Sequence, residues 1–293
     1  MTETLPEVAP VPERHPRPAD RRIPVRTSSL VAWTISVVGV VLLAFVGFLL
    51  VGSNVQASRS QDVLFGRLQA ELAQATAPVS GVIAPGTPIG ILDIPRLGLH
   101  QVLVQGSSSE QTVDGPGLKS DTAFPGEAGS SLVVGRRATF GAPFKNLGHL
   151  RVGDRVVVTT GLGKKTFVVD LVRHSDDPAE KLAVAGSRLT LVTSDPALTP
   201  TRQIVVSAAL VGEPTAASTT PVVRDGEAPG DHVLGRAVMV LLWTQLLLVL
   251  VWAGTRLGLR YGTRAVWIGA APVLLAVLWN LFEGVAVLLP NTL

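Results

Sequence analysis

Three long runs of apolar residues stand out along the chain, one near its beginning and two beyond residue 236. The first two contain no charged residue, and the third contains one, Glu283. A helix of about 20 residues crosses the roughly 30 Å hydrocarbon core of a bilayer, so each run is long enough to span it. The alternative for each run is a helix buried in a protein core. We predict transmembrane helices at residues 29–52, 235–255 and 265–289.

Between the first and second apolar runs, the pattern changes to short segments rich in Val, Ile, Leu and Thr. Gly, Pro, Asp and Ser separate these segments. Such segments are typical of β-strands joined by turns. Many short strands favour a closed β-barrel or a β-sandwich. The predicted strands lie at about residues 89–94, 99–105, 131–134, 155–160, 166–172, 188–193 and 203–211.

The stretches that flank the β-rich region have their own patterns. Leucines recur at four-residue spacing through residues 61–76, which predicts a short amphipathic helix. A Pro-, Glu- and Arg-rich beginning predicts a disordered tail, and a Thr-, Ala-, Pro- and Gly-rich stretch after the strands predicts a flexible linker. The predicted organisation outside the apolar runs is therefore a tail at 1–28, a juxtamembrane helix and linker at 58–85, a β-rich domain at 86–213, and a linker at 214–233.

Arginine residues cluster on one side of the predicted membrane helices. Five of them precede the first apolar run, and Arg256, Arg260 and Arg264 lie between the second and third runs. Loops rich in Lys and Arg stay in the cytoplasm, so both clusters give the same orientation. We therefore predict a multi-pass membrane protein with a cytoplasmic N-terminus and a β-rich domain outside the cell.

Composition narrows the chemistry that is available to this domain. The chain contains no cysteine, so its core must stabilise the exported domain without disulfides. The same absence removes a thiol nucleophile and any thiolate metal site. The net charge of +3 comes without a basic stripe interleaved with aromatic residues, which argues against nucleic acid as a partner. We predict no cofactor and no metal.

Two segments of the β-rich region carry the residues that suggest a family. One is Val133–Phe144, with the sequence VVGRRATFGAPF, and the other is the strand-like run that ends in Ser194-Asp195-Pro196, with Arg202 eight residues after Ser194. Together they resemble the active-site segments of sortases, the Cys-dependent transpeptidases of Gram-positive cell surfaces, and in particular the class E sortases of actinobacteria. Further similar pieces, within roughly residues 86–213, are Leu92–Leu99, Gly115–Gly117, Ala123–Gly129 and Leu147–Asp154.

The resemblance implies an all-β closed barrel of about eight strands and a set of site residues. In the family, a Cys attacks the Thr–Gly bond of a sorting signal such as Leu-Pro-x-Thr-Gly, a His serves as acid and base, and an Arg stabilises the substrate carbonyl. Here Ser194 stands at the Cys position, Arg136 at the His position and Arg202 at the Arg position. The resemblance also implies the plasma membrane of a Gram-positive bacterium, with a sorting-signal peptide, a cell-wall component or a surface protein as partner.

The three positions are open to more than one interpretation. A hydroxyl needs an adjacent general base, which a guanidinium cannot provide, so Ser194 is either a nucleophile with an unrecognised base such as His174 or a turn cap at Asp195-Pro196. Arg202 is either an oxyanion or carboxylate contact or a structural Arg. Arg136 is either a second anion contact beside Arg202 or a solvated Arg at the barrel rim. Glu283 lies either at the membrane interface or in a contact between helices.

These observations favour a binding protein over an enzyme. The leading hypothesis is a membrane-anchored, catalytically inactive sortase-fold module that binds a peptide or a cell-wall partner. The alternative is a serine-dependent acyltransferase, transpeptidase or hydrolase that uses Ser194, with Arg202 stabilising the oxyanion. A third hypothesis assigns the function to the three membrane helices, in assembly of a membrane complex.

Overall fold

Two compact units make up the chain, Met1–Leu43 and Ala44–Leu293. In the first unit, the described residues are helical. The predicted tail and most of the predicted linker at 214–233 lie outside the described residues. The structure, a computed structural model, describes residue 35 and residues 39–79, 82–175, 186–197, 201–216, 231–261 and 263–292.

Eight strands of the second unit form a closed barrel in the order β1-β2-β3-β4-β7-β8-β6-β5. Two neighbouring pairs are parallel, β2 with β3 and β4 with β7, and the other pairs are antiparallel. The predicted barrel is thus confirmed. The strands are β1 Pro88–Ile94, β2 Leu99–Gln105, β3 Gly117–Leu118, β4 Ser130–Val134, β5 Arg155–Thr160, β6 Gly163–His174, β7 Arg188–Asp195 and β8 Arg202–Leu210.

The barrel interior is filled by the alternate apolar residues of these strands. Side chains of a strand point to opposite faces with a period of two, so every second residue enters the interior. Each fully buried Val, Leu, Ile or Phe contributes about 1.5–3 kcal/mol relative to an exposed one. The core includes Ile89, Leu92, Ile94, Leu103, Val156, Val158, Phe167, Leu189, Leu191 and Val206.

Of the four α-helices in the described residues, three are long and apolar enough to cross a membrane, over Gly39–Ala73, Gly235–Gly258 and Val266–Val287. They agree with the three predicted spans. The predicted helix at 61–76 lies within the last part of α1, Ser53–Ala73, which a π-helical turn at Phe48–Gly52 joins to the apolar run. The helices are α1 Gly39–Ala73, α2 Ser109–Thr112, α3 Asp231–Tyr261 and α4 Thr263–Val287.

Helices α3 and α4 lie side by side in antiparallel directions. A Cβ added to Gly284 would lie 3.0 Å from Cγ2 of Val240, and one added to Gly254 would lie 3.8 Å from the ring of Trp267. Early residues of α3 therefore face late residues of α4, and late residues of α3 face early residues of α4. The end of α3 and the start of α4 are consequently at the opposite end of the pair from Val287.

Helix α4 also packs against α1. The rings of Phe48 and Trp279 meet edge to face with centroids 4.9 Å apart, and Phe45 lies 5.2 Å from Phe282. The side chain of Gln56 donates a hydrogen bond of 2.8 Å to Oε1 of Glu283. Of the two interpretations of Glu283, the structure shows the contact between helices.

Helix α1 in turn holds the loop that follows β4. The backbone N–H of Phe140 donates to Oγ of Ser53 at 3.0 Å, and that of Gly141 donates to Oδ1 of Asn54 at 2.8 Å. Both loop residues have positive φ, 51° and 78°, a conformation that leaves their N–H groups without a regular strand partner. The helix therefore fixes the loop that contains Arg136.

Candidate functional site

The parallel pairing of β4 with β7 brings together the two segments that carry the predicted site. Val134 is paired with Val192, so Gly135 and the two arginines after it lie beside Thr193 and Ser194 at one barrel edge. The N–H of Gly135 donates to the Val192 carbonyl at 3.1 Å, and Oγ1 of Thr193 donates to the Gly135 carbonyl at 2.8 Å. This edge is the candidate site.

Ser194 is fully buried, and its hydroxyl donates a 2.7 Å hydrogen bond to the backbone carbonyl of Thr292. The backbone N–H of Arg137 donates to the same oxygen at 3.2 Å. Instead of capping the turn at Asp195-Pro196, the hydroxyl is therefore one of two donors that hold a peptide carbonyl. The acceptor lies 98 residues further along the chain, which is why local sequence could not identify it.

Arg136 is also fully buried, so its predicted solvation at the barrel rim is wrong. Its Nη2 donates to the Ser109 carbonyl at 3.0 Å and to Ser109 Oγ at 2.8 Å, and its Nη1 donates to Oγ1 of Thr139 at 3.2 Å. The guanidinium carbon lies 4.8 Å from the ring centroid of Phe140, a cation–π distance. Burial lowers the pKa of Arg136 to about 10, which leaves it protonated at neutral pH.

Arg202 faces a carboxylate of its own chain. Its Nη2 lies 2.9 Å from Oδ2 of Asp195, whose Oδ1 is bound by the side chain of Arg137. The hydrogen bond from Arg137 holds the pKa of the Asp195 carboxyl below its usual value. His174, considered above as a base for Ser194, ends β6 with its Nε2 3.4 Å from Oδ2 of Asp195.

The segment after α4, residues Leu289–Thr292, lies along this edge. Oγ of Ser109 donates to the Leu289 carbonyl at 2.6 Å, and Nδ2 of Asn291 donates to the Ser107 carbonyl at 2.6 Å. Thr292 is 8% exposed. We name the edge formed by Ser107, Ser109, Arg137 and Ser194 the groove.

Sequence reasoning predicted Ser194, Arg136 and Arg202, and missed the contributions of Ser107, Ser109, Arg137 and the segment after α4. One signal for the segment was present. Leu289-Pro290-Asn291-Thr292 has the order Leu-Pro-x-Thr of the sorting signal that the family resemblance implies. The apolar run that was assigned to the third span included Leu289, which hid the motif.

The groove has the chemistry of a carbonyl-binding site. Two donors on one carbonyl oxygen are the arrangement by which oxyanion holes bind their substrates. A Ser hydroxyl has one proton, and here that proton is donated to a carbonyl rather than to a base. Among the described residues, no cluster of His, Asp and Glu has the geometry to hold a metal ion.

Comparison with known proteins gives the same family from sequence. A model of the sortase domain matches residues 92–211. Sortase SrtE1 of Streptomyces coelicolor is 29% identical over 195 residues, which cover 60% of this chain and 54% of the relative, so the chain spans about half of that protein's length. Sortase D of Bacillus subtilis is 25% identical over 140 residues, which cover 45% of this chain and 69% of the relative.

The solved structure of sortase E from Streptomyces avermitilis is 30% identical over 45% of this chain and 93% of its own, with a TM-score of 0.38. The matched part of the chain holds seven of the eight strands and the whole of the candidate site up to Arg202. Residues 92–211 of the chain are thus a sortase domain.

Proposed function

We propose that this protein is a membrane-anchored, non-catalytic sortase that binds an extended peptide in the groove without cleaving it. The observation that carries the proposal is the hydrogen bond from the Ser194 hydroxyl to a peptide carbonyl. In this arrangement Ser194 recognises the carbonyl as a donor. The ligand is a sorting-signal-like peptide presented by a surface protein or a cell-wall component.

The surroundings of Ser194 support binding over catalysis. Removing the proton of a hydroxyl requires a base within hydrogen-bonding distance of it. Arg136, at the predicted position of the family His, is protonated and donates to Ser109 and Thr139. His174 lies against Asp195, where a carboxylate rather than a hydroxyl is its neighbour.

The arrangement of the helices supports the predicted topology. Arg256 and Arg260 near the end of α3, and Arg264 near the start of α4, lie at the far end of the helix pair from Gly284 and Val287. At the near end, Arg236 of α3 forms an ion pair with Glu110 of the sortase domain. Because arginine-rich segments stay in the cytoplasm, the far end of the helix pair is assigned to the cytoplasm and the sortase domain at the near end to the outside of the cell.

One observation favours the alternative of a serine-dependent acyltransferase. The groove offers two donors to a carbonyl oxygen, and the same arrangement would stabilise the oxyanion of an attacked amide. Attack would require Ser194 to release its proton to a base as its oxygen bonds to the carbonyl carbon. The two functions therefore differ in whether an acyl-Ser194 forms.

The test uses the full chain in detergent micelles and a dye-labelled peptide, Leu-Pro-Asn-Thr-Gly. We expect the peptide to increase fluorescence anisotropy. In chains whose residues 289–292 are replaced by Gly-Ser-Gly-Ser, which leaves the Thr292 contact out of the comparison, Ser194→Ala should weaken peptide binding about 2- to 12-fold, the equivalent of one hydrogen bond. A peptide with the same residues in reversed order is the control. Intact-mass spectrometry should show no adduct on the native chain.

Two results would contradict the proposal. A mass increase on the native chain that is absent from Ser194→Ala would establish a serine enzyme. Equal binding of the forward and reversed peptides would show that the groove does not recognise an extended peptide in this order.

A further inference from the structure

The groove of this protein is filled by part of the same chain. We propose that Leu289–Thr292 is a tethered ligand of the groove, so that the protein controls access to its own peptide site. The inference rests on the proposed function, because it assigns the proposed peptide site its resident occupant. It adds a regulatory contact that the presence of a sortase domain does not imply.

Each of the three positions predicted as the site leads to this segment. Ser194 donates directly to the Thr292 carbonyl. Arg136 donates to Oγ of Ser109, which donates to the Leu289 carbonyl, so the guanidinium orients the hydroxyl that holds the segment. Arg202 binds Asp195, which also accepts a hydrogen bond from the side chain of Arg137. The backbone N–H of Arg137 in turn donates to the Thr292 carbonyl.

The N–H of Leu289 still donates to the Ala286 carbonyl of the last helical turn, and from the Leu289 carbonyl onward the segment makes the contacts of a bound peptide. Two backbone carbonyls, of Leu289 and Thr292, accept hydrogen bonds from the groove, and the side chain of Asn291 donates to the backbone of Ser107. Thr292 is buried, whereas Pro290 is exposed. The groove therefore holds both ends of a four-residue segment whose order, Leu-Pro-x-Thr, is that of the ligand class proposed above.

The segment is held in place from α4. Val287 ends the helix, so a single residue, Leu288, separates it from the bound segment. The helix itself is anchored on α1 through the Phe48–Trp279 and Gln56–Glu283 contacts. A short tether gives an effective concentration of about 1 mM. If the untethered segment has an intrinsic Kd of about 100 μM, an external peptide would bind about tenfold more weakly to the native chain.

The absence of cysteine from the chain makes occupancy directly measurable. A thiol at Ser194→Cys is the only thiol in that variant and lies under Thr292. We expect maleimide to label the full-length Ser194→Cys chain, in micelles, at least tenfold more slowly than the same chain with residues 289–292 replaced by Gly-Ser-Gly-Ser. Asn291→Ala, which loses the bond to Ser107, should give an intermediate rate.

Two controls separate occupancy from unfolding. Ser130→Cys is exposed at the other end of β4, so its labelling rate should be the same with and without the replacement. Leu288→Ala, at the exposed residue beside the segment, should leave the labelling of Ser194→Cys unchanged. Equal labelling of Ser194→Cys in the native and replaced chains would overturn the proposal.

A peptide measurement on the same variants distinguishes the two proposals. If the segment occupies the groove of a peptide-binding protein, the replaced chain should bind dye-labelled Leu-Pro-Asn-Thr-Gly at least tenfold more tightly than the native chain. Faster labelling with no peptide binding to either chain would support the tethered segment and refute the proposed function. Equal labelling with clear peptide binding would do the reverse.

Discussion

Replacing Arg136 with the His that the family resemblance predicts at this position should destabilise the barrel. The guanidinium reaches Ser109 and Thr139 through the end of a long side chain. An imidazole ends closer to the backbone and cannot make these bonds. It would leave a void and bring two ring nitrogens into a site that the structure seals from solvent.

The Arg136→Met variant separates the loss of hydrogen bonds from these other effects. Both variants lose three hydrogen bonds, a loss of about 3 kcal/mol at about 1 kcal/mol each. Both also remove a buried charge whose pKa burial lowers to about 10, which corresponds to about 3 kcal/mol against the charged form. Met fills the space and adds no hydrogen-bonding group, so we expect it within about 1 kcal/mol of the native protein.

His carries the additional penalty of unpaired buried nitrogens, at about 1–3 kcal/mol for each polar group. We therefore expect the Arg136→His variant to be about 3 kcal/mol less stable than Arg136→Met. At 1.4 kcal/mol per factor of ten, the difference amounts to about a hundredfold in the opening equilibrium of the barrel.

Hydrogen exchange of β7 peptides, followed by mass spectrometry, measures this opening. Tryptophan fluorescence would not report on it, because all five Trp residues lie outside residues 86–213. We expect the slowest β7 amides of Arg136→His to exchange about a hundredfold faster than those of Arg136→Met. If the two variants exchange at the same rate, Arg136 is not the sealed structural residue described here, and the reasoning is wrong.

Two further predictions concern the close contact of Gly117 with the backbone of Gly106 and the titration of the Asp195 carboxyl. Gly117→Ala would place a Cβ 2.2 Å from the backbone carbonyl of Gly106 and should cost at least about 1–3 kcal/mol, whereas Gly66→Ala in α1, with nothing within 4 Å, should leave barrel exchange unchanged. The pKa of Asp195 is depressed by its hydrogen bond from Arg137, so the stabilisation is complete above the unfolded value of about 3.9 and is lost as pH falls through the folded value. Exchange protection of the Arg137 amide, corrected for intrinsic rate, should therefore fall in acid, and an Asp195→Asn chain that showed the same fall would contradict this explanation.

Much of the barrel could be predicted from residue patterns because its strands alternate between a dry interior and the outside. The seven predicted strands coincide with observed ones. The eighth, Gly117–Leu118, is two residues long and too short to show any alternation. The sequence pattern also did not show that the first apolar run and the leucine-spaced helix after it join in one helix, whose backbone stays helical at Gly52 and Ser53.

The site was predictable only in part, because its partners come from distant parts of the chain. The family resemblance placed Arg136 near Ser194, and the parallel pairing of β4 with β7 explains this proximity. The general surface preference of Arg gave the wrong environment for Arg136, since its acceptors on Ser109 lie in a loop after β2. Nothing in the local pattern around Ser194 indicates that Thr292 meets it.

The short distance between α4 and the groove limits which molecules can be ligands. Thr292 is five residues beyond Val287, and an extended chain of five residue steps spans at most about 17 Å. In the proposed topology, the groove therefore lies close to the lipid headgroups, within about 17 Å of the end of α4. A competing peptide must be delivered at that height, as a stretch that directly adjoins a lipid-embedded anchor would be, whereas the same motif carried far out in the cell wall would be out of reach.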